Sequence, residues 1–186
     1  MPFPGHVIYP IDNYSFSTGD GPGACSALCV HWLTAMDRNP IIATWTTPHA
    51  PNFMGTKAQI EQTQAEYENR DLGDDDEFNI LRPNGFQVLA KGTFPIERQE
   101  IEKFLKYCFA NPGSYYISLS FADLQHNIAI YTGNNGYIIF DPNGGAYRSG
   151  GQSEFVSSYR YWFDEYDTSY QEAQWFRCVY KGYLPG

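Results

Sequence analysis

"HNIAIYTGNNGYIIFDPNGG", residues 126–145, decides how the rest of the chain is read. Two short apolar runs flank Thr-Gly-Asn-Asn-Gly, a hairpin signal because Asn and Gly accept the positive φ of a tight turn. Placing the turn at Asn134 and Asn135 pairs Gly133 with Gly136, Thr132 with Tyr137 and Ile128 with Asp141. Side chains alternate faces along a strand. His126, Ile128 and Ile130 therefore share a face with Ile139, Asp141 and Asn143. His126 and Asp141 become diagonal neighbours, about 7–8 Å apart at the backbone and within side-chain reach. A turn shifted to Asn135 and Gly136 keeps this parity, whereas a three-residue loop breaks it.

A carboxylate beside a histidine fixes its tautomer and stabilises the imidazolium once formed. Such a pair lacks a nucleophile, for which a serine or a cysteine would serve. The stretch "GDGPGACSALCVHWL", residues 19–33, offers the better-placed one. Its glycines and proline lead into Cys25, after which Leu28, Cys29, Trp32 and Met36 recur at helical spacing until Pro40. A helix N-terminus favours a thiolate through its unpaired N–H groups and dipole. A neighbouring imidazolium lowers the thiol pKa further, and the Cys25 N–H can help hold an oxyanion. The preceding glycines let a substrate backbone approach. Together these residues form a Cys-His-Asp hydrolase site with its nucleophile early and its hairpin late. Asn143, on the same face as Asp141, is the alternative orienting residue.

Outside this constellation the chain reads as one domain over 1–186, long enough for a sizeable core. Fifteen Tyr and thirteen Phe, set among twelve Pro and seventeen Gly, point to a loop-rich α+β domain. Residues 1–24 read as an irregular lead-in. Helices are expected at about 57–69, 96–110 and 151–166, and strands at 114–121, 126–132, 136–142 and 173–183. The acidic run "DLGDDDEF", 71–78, lacks the alternating ligand pattern of a calcium loop and is expected to be a solvated loop.

A net charge of −9 with no basic cluster argues against nucleic acid or an anionic membrane as partner. No apolar run reaches the roughly 18 residues of a transmembrane helix, and the N-terminus shows no Sec signal pattern. Four cysteines without paired spacing are expected to be free thiols. Cys29, one turn beyond Cys25, reads as core, and His31 as rotated away from Cys25. A metal site at Cys25, Cys29 and His31 lacks a fourth ligand. His6 and His49 carry no readable signal, and "YRYWFDEY", 159–166, reads as packing.

The order of these motifs, with "GACSALCVHW" around the cysteine and the "FDPN-x-G" ending of the hairpin, resembles the papain-like cysteine peptidases of the YopT/AvrPphB bacterial effector family. The resemblance implies an α+β papain-like fold, with a nucleophile helix packed on an antiparallel sheet carrying His and Asp. It implies Cys25 as nucleophile, His126 as general base and acid, and Asp141 as orienting group, with no metal or organic cofactor. It further implies a protein substrate, non-Sec secretion or delivery into a target cell, and a cognate immunity protein or chaperone as further partner. Related toxin domains with this triad deamidate glutamine, so deamidase or transglutaminase-like chemistry and peptidoglycan amide hydrolysis are the enzymatic alternatives. One departure from the family pattern stands out. The amide donor expected a few residues before the nucleophile is replaced by Gly19 and Asp20. An ionised Asp20 repels an oxyanion and must be protonated or turned elsewhere. The missing amide also leaves a non-catalytic binding protein on the same scaffold as an alternative.

Overall fold

The computed structural model describes residues 6–9, 24–39, 54–70, 75–120, 125–134, 136–166 and 172–182, with the backbone alone at 6–9 and 161–166. Seven antiparallel strands form one sheet in the order β1-β6-β5-β4-β3-β7-β2. These are β1 (His6–Tyr9), β2 (Phe86–Pro95), β3 (Gly113–Ser120), β4 (Gln125–Gly133), β5 (Gly136–Asp141), β6 (Gly145–Ser149) and β7 (Glu172–Tyr180). Helices α1 (Cys25–Arg38) and α2 (Lys57–Glu68) cover one face, and α3 (Arg98–Ala110) and α4 (Gln152–Tyr166) cover the other.

Both faces being covered explains the nearly unbroken apolar runs of the central strands. Tyr116 and Ala129 point to the α1 side, while Ile117, Ile128 and Ile130 point to the α3 and α4 side. Helix α1 is the most deeply set, with Leu28, Cys29, Trp32, Leu33 and Met36 all buried. Trp32 stacks on Phe140 of β5, ring centroids 5.1 Å apart. At its far end, Asp37 accepts hydrogen bonds from the Ser114 hydroxyl (2.5 Å) and the Tyr180 N–H (2.7 Å), tying α1 to β3 and β7. Helix α2 starts at a capping box in which Thr56 and Gln59 satisfy each other's backbone N–H groups.

The hairpin register is Gly133 opposite Gly136 and Thr132 opposite Tyr137, with Gly136 at φ +133°. Within the stretch expected to be an irregular lead-in, residues 6–9 form a strand instead, pairing with β6 at the edge of the sheet. Strand β2 has no counterpart among the expected elements. It is an edge strand with a bulge between Val88 and Ala90, and Gly92 leaves room for the Trp175 ring, which a Cβ there would approach to 2.9 Å. Strand β6 likewise follows directly on the Asp-Pro-Asn-Gly turn.

The acidic run departs from the solvated loop expected of it. Asp76 and Glu77 are buried at the start of a wide helical turn, Glu77–Leu81. Glu77 pairs with Arg82 (2.6 Å) and Lys91 (2.9 Å), and Asp76 accepts from the Tyr67 hydroxyl (2.9 Å). Partners from α2 and β2 make burial tolerable where the local sequence suggested only hydration.

Candidate active site

Cys25 opens α1, where Ala24 supplies no capping side chain. Gln64 of α2 accepts from the Ala27 N–H (3.1 Å), satisfying one of the unpaired donors of that first turn. His126 lies near the start of β4 and Asp141 at the end of β5, and both are buried. The His126 Nε2–H donates to Asp141 Oδ1 at 3.0 Å. The same oxygen accepts the Asn143 N–H at 2.9 Å, so the turn after β5 holds the carboxylate in place. With Nε2 committed to Asp141, Nδ1 is the nitrogen left for the thiol, and the ring lies close enough to Cys25 for each group to shift the other's titration.

Electrostatics follow from that arrangement. Burial raises the Cys25 thiol, but the hydrogen bond and charge of His126 and the backbone and side-chain N–H groups of Asn127 outweigh it, leaving the pKa below the ordinary thiol range. Burial depresses His126, yet Asp141 and Cys25 together push it up to about 9. Each group therefore favours the charged form of the other, the thiolate of Cys25 and the imidazolium of His126. Burial pushes Cys29, Cys108 and Cys178 upward instead, and all four cysteines are free thiols.

The structure thus brings Cys25, His126 and Asp141 together. Asn143 reaches the group through its backbone while its side chain stays exposed, and the carboxylate against His126 is that of Asp141. Asp20 and its glycine loop lie outside the described residues, as do His49 and the His6 side chain. His31 is turned to α2, bonding the Met54 carbonyl and the Thr63 hydroxyl. Among the described residues, no group of three or more His, Cys, Asp or Glu is placed to hold a metal ion.

Asn127 is brought to the site without having been singled out in the sequence. Its Nδ2 lies 3.6 Å from Cys25 Sγ and donates to Ser26 Oγ at 2.6 Å. The signal was present in strand parity: the neighbour of His126 must leave β4 on the face that α1 covers. Beside it opens a polar cavity of about 390 Å³, lined by Ser118, Ser120, Gln125, Tyr67 and Asp76 among others.

Three solved structures share the fold of this chain. The Pseudomonas avirulence protein AvrPphB superposes with a TM-score of 0.65 at 18% identity, covering 94% of this chain and 97% of that one. The ubiquitin-specific protease of murine cytomegalovirus tegument protein M48, solved with a ubiquitin-based suicide substrate, gives 0.58 at 15% identity, covering 95% and 87%. PatoxP, a cysteine protease-like domain of the Photorhabdus asymbiotica toxin PaTox, gives 0.56 at 12% identity, covering 92% of this chain and 53% of that one. These similarities establish a papain-like fold. Comparison with curated proteins gives no match. Residues 11–171 match the family Peptidase_C58, described as Yersinia/Haemophilus virulence surface antigen. With the match extending over most of its length, the chain belongs to this YopT/AvrPphB family of papain-like cysteine peptidases and is a cysteine-type hydrolase.

Proposed function

We propose that the protein is a protease that cleaves a target protein through a Cys25–His126–Asp141 triad, acting as a bacterial effector delivered into another cell. The observation that carries the reading is the position of the His126 ring, held by Asp141 at Nε2 and near enough to the thiol to pull its pKa down. In this mechanism the Cys25 thiolate attacks a peptide carbonyl, and the Cys25 N–H at the head of α1 donates to the developing oxyanion. The His126 imidazolium then protonates the leaving amine, and a thioester links the acyl group to Sγ. His126, now neutral, takes a proton from water as that water attacks the thioester, which releases the acid and restores the ion pair. Asp141 keeps the ring oriented and stabilises its positive charge throughout. Among the described residues no helix is long and apolar enough to cross a membrane.

The test uses wild type and Cys25→Ala side by side. Each is incubated with a eukaryotic lysate, with bacterial lysate and with purified peptidoglycan, and the products are read by mass spectrometry of new N-termini. New protein N-termini with wild type alone are expected. A gain of about 1 Da at glutamine without chain scission, or release of muropeptides, would replace protein cleavage with the corresponding amidase chemistry.

A further inference from the structure

The sulfur of Cys25 meets β4 at two consecutive residues. His126 and Asn127 leave the strand on opposite faces, yet the first turn of α1 is seated so that both reach Sγ. Asn127 Nδ2 lies 3.6 Å from the sulfur, and the Asn127 backbone N–H adds to the lowering of the thiol's pKa. Its side chain is sealed from solvent, and so is Ser26, which takes the other Nδ2 bond at 2.6 Å. The amide is oriented at a cost, since among the described residues none hydrogen-bonds its buried Oδ1. Turning the amide over would let Oδ1 accept from the Ser26 hydroxyl, but would set a carbonyl oxygen against Sγ. Ser26 is satisfied either way. The orientation observed presents an N–H to the sulfur, which a thiolate accepts more strongly than a thiol does.

We propose that Asn127 is a fourth member of the catalytic group, its side-chain and backbone N–H groups solvating the Cys25 thiolate. This rests on the triad reading and adds a residue to it. The other groups facing the sulfur cannot take that part. Cys29 from α1 and Tyr67 from α2 interact with Cys25 as neutral or negative groups. Asp76, from the turn after α2, acts on Tyr67 and Cys29, and Asp141 lies behind His126. Positive hydrogen-bonding ends reach the sulfur from His126 and Asn127.

The experiment follows the rate of Cys25 alkylation by iodoacetamide against pH, located by peptide mass spectrometry, together with kcat, KM and thermal melting. Asn127→Ala keeps the backbone donor and loses the amide. Its acid limb should move up by about half to one pH unit, with kcat/KM down roughly 5- to 30-fold and KM little changed. Asn127→Asp keeps the size and can still accept from Ser26, so it controls for packing. It sets a carboxylate against the thiolate and should shift the limb further than alanine does. Ser26→Ala, which frees the amide from its tether, should shift it in the same direction by less. Superimposable limbs for wild type and both Asn127 variants, whatever happens to melting, would overturn the proposal. A wild type lacking any acid limb below the ordinary thiol range would overturn the triad, and this proposal with it.

Discussion

Cys25 and Cys29 sit one turn apart on the same helix, and their chemistry runs in opposite directions. Cys29 is fully buried among apolar side chains, and its thiol is pushed well above the ordinary range. Cys25 is also desolvated, yet its thiol is pulled down. The helix dipole favours the first turn over the second by only about 0.3–1 kcal/mol and cannot alone account for such a contrast. What differs is the neighbour across the gap. Cys25 faces the open end of β4, where His126 and Asn127 present N–H groups, while Cys29 faces packing. Burial sets the penalty, and the strand end decides whether it is overcome.

Removing the charge behind His126 should erase most of that contrast. Asp141→Asn keeps the shape but deprives the imidazolium of its counter-charge, and its amide can hold the wrong tautomer. We expect kcat/KM to fall by roughly 10²- to 10⁴-fold, and the alkaline limb to move down from about 9 toward the ordinary histidine range. An unchanged pH profile would show that Asp141 does not govern His126.

The wild-type profile sharpens the comparison by less drastic means. Cys25 must be deprotonated, which its lowered pKa allows below the ordinary thiol range, and His126 must keep its proton, which it loses as pH rises through about 9. Activity should therefore rise on the acid side below the usual thiol pKa and decline near 9. At pH 6, iodoacetamide should label Cys25 in preference to Cys29 by about 100-fold or more. Equal labelling of the two thiols would remove the contrast altogether. The smallest effect belongs to the packing side. Cys29→Ser buries a hydroxyl without a designed partner and should cost about 1–3 kcal/mol in denaturant unfolding, leaving the alkylation limb of Cys25 where it was.

The sequence made the hairpin legible because its information is local: turn chemistry fixes the register, and parity then carries His126 to Asp141. Helix α1 was equally clear, since Leu28, Cys29, Trp32 and Met36 trace one stripe. Elements whose reasons lie elsewhere in the chain were not legible. Strand β2 exists because β7 pairs with it, and Gly92 makes sense only once Trp175 is seen against it. The burial of Asp76 and Glu77 depends on Tyr67, Arg82 and Lys91. Asn127 was not legible, because strand parity turns it away from the face His126 shares with Asp141. Its own partners, Cys25 and Ser26, are more than a hundred positions earlier.

The position of β7 has a consequence for how the molecule comes into being. Strand β7 lies between β3 and β2, pairing with both. Until residues 172–180 have been made, those two earlier strands face each other across an unfilled slot with their ladder groups open. Closing that slot must therefore follow synthesis of residues 172–180, and the pairings involved are the long-range kind that slow folding and leave edges exposed to aggregation. A chain made only as far as residue 171 would carry Cys25 and His126 without the complete sheet that aligns them.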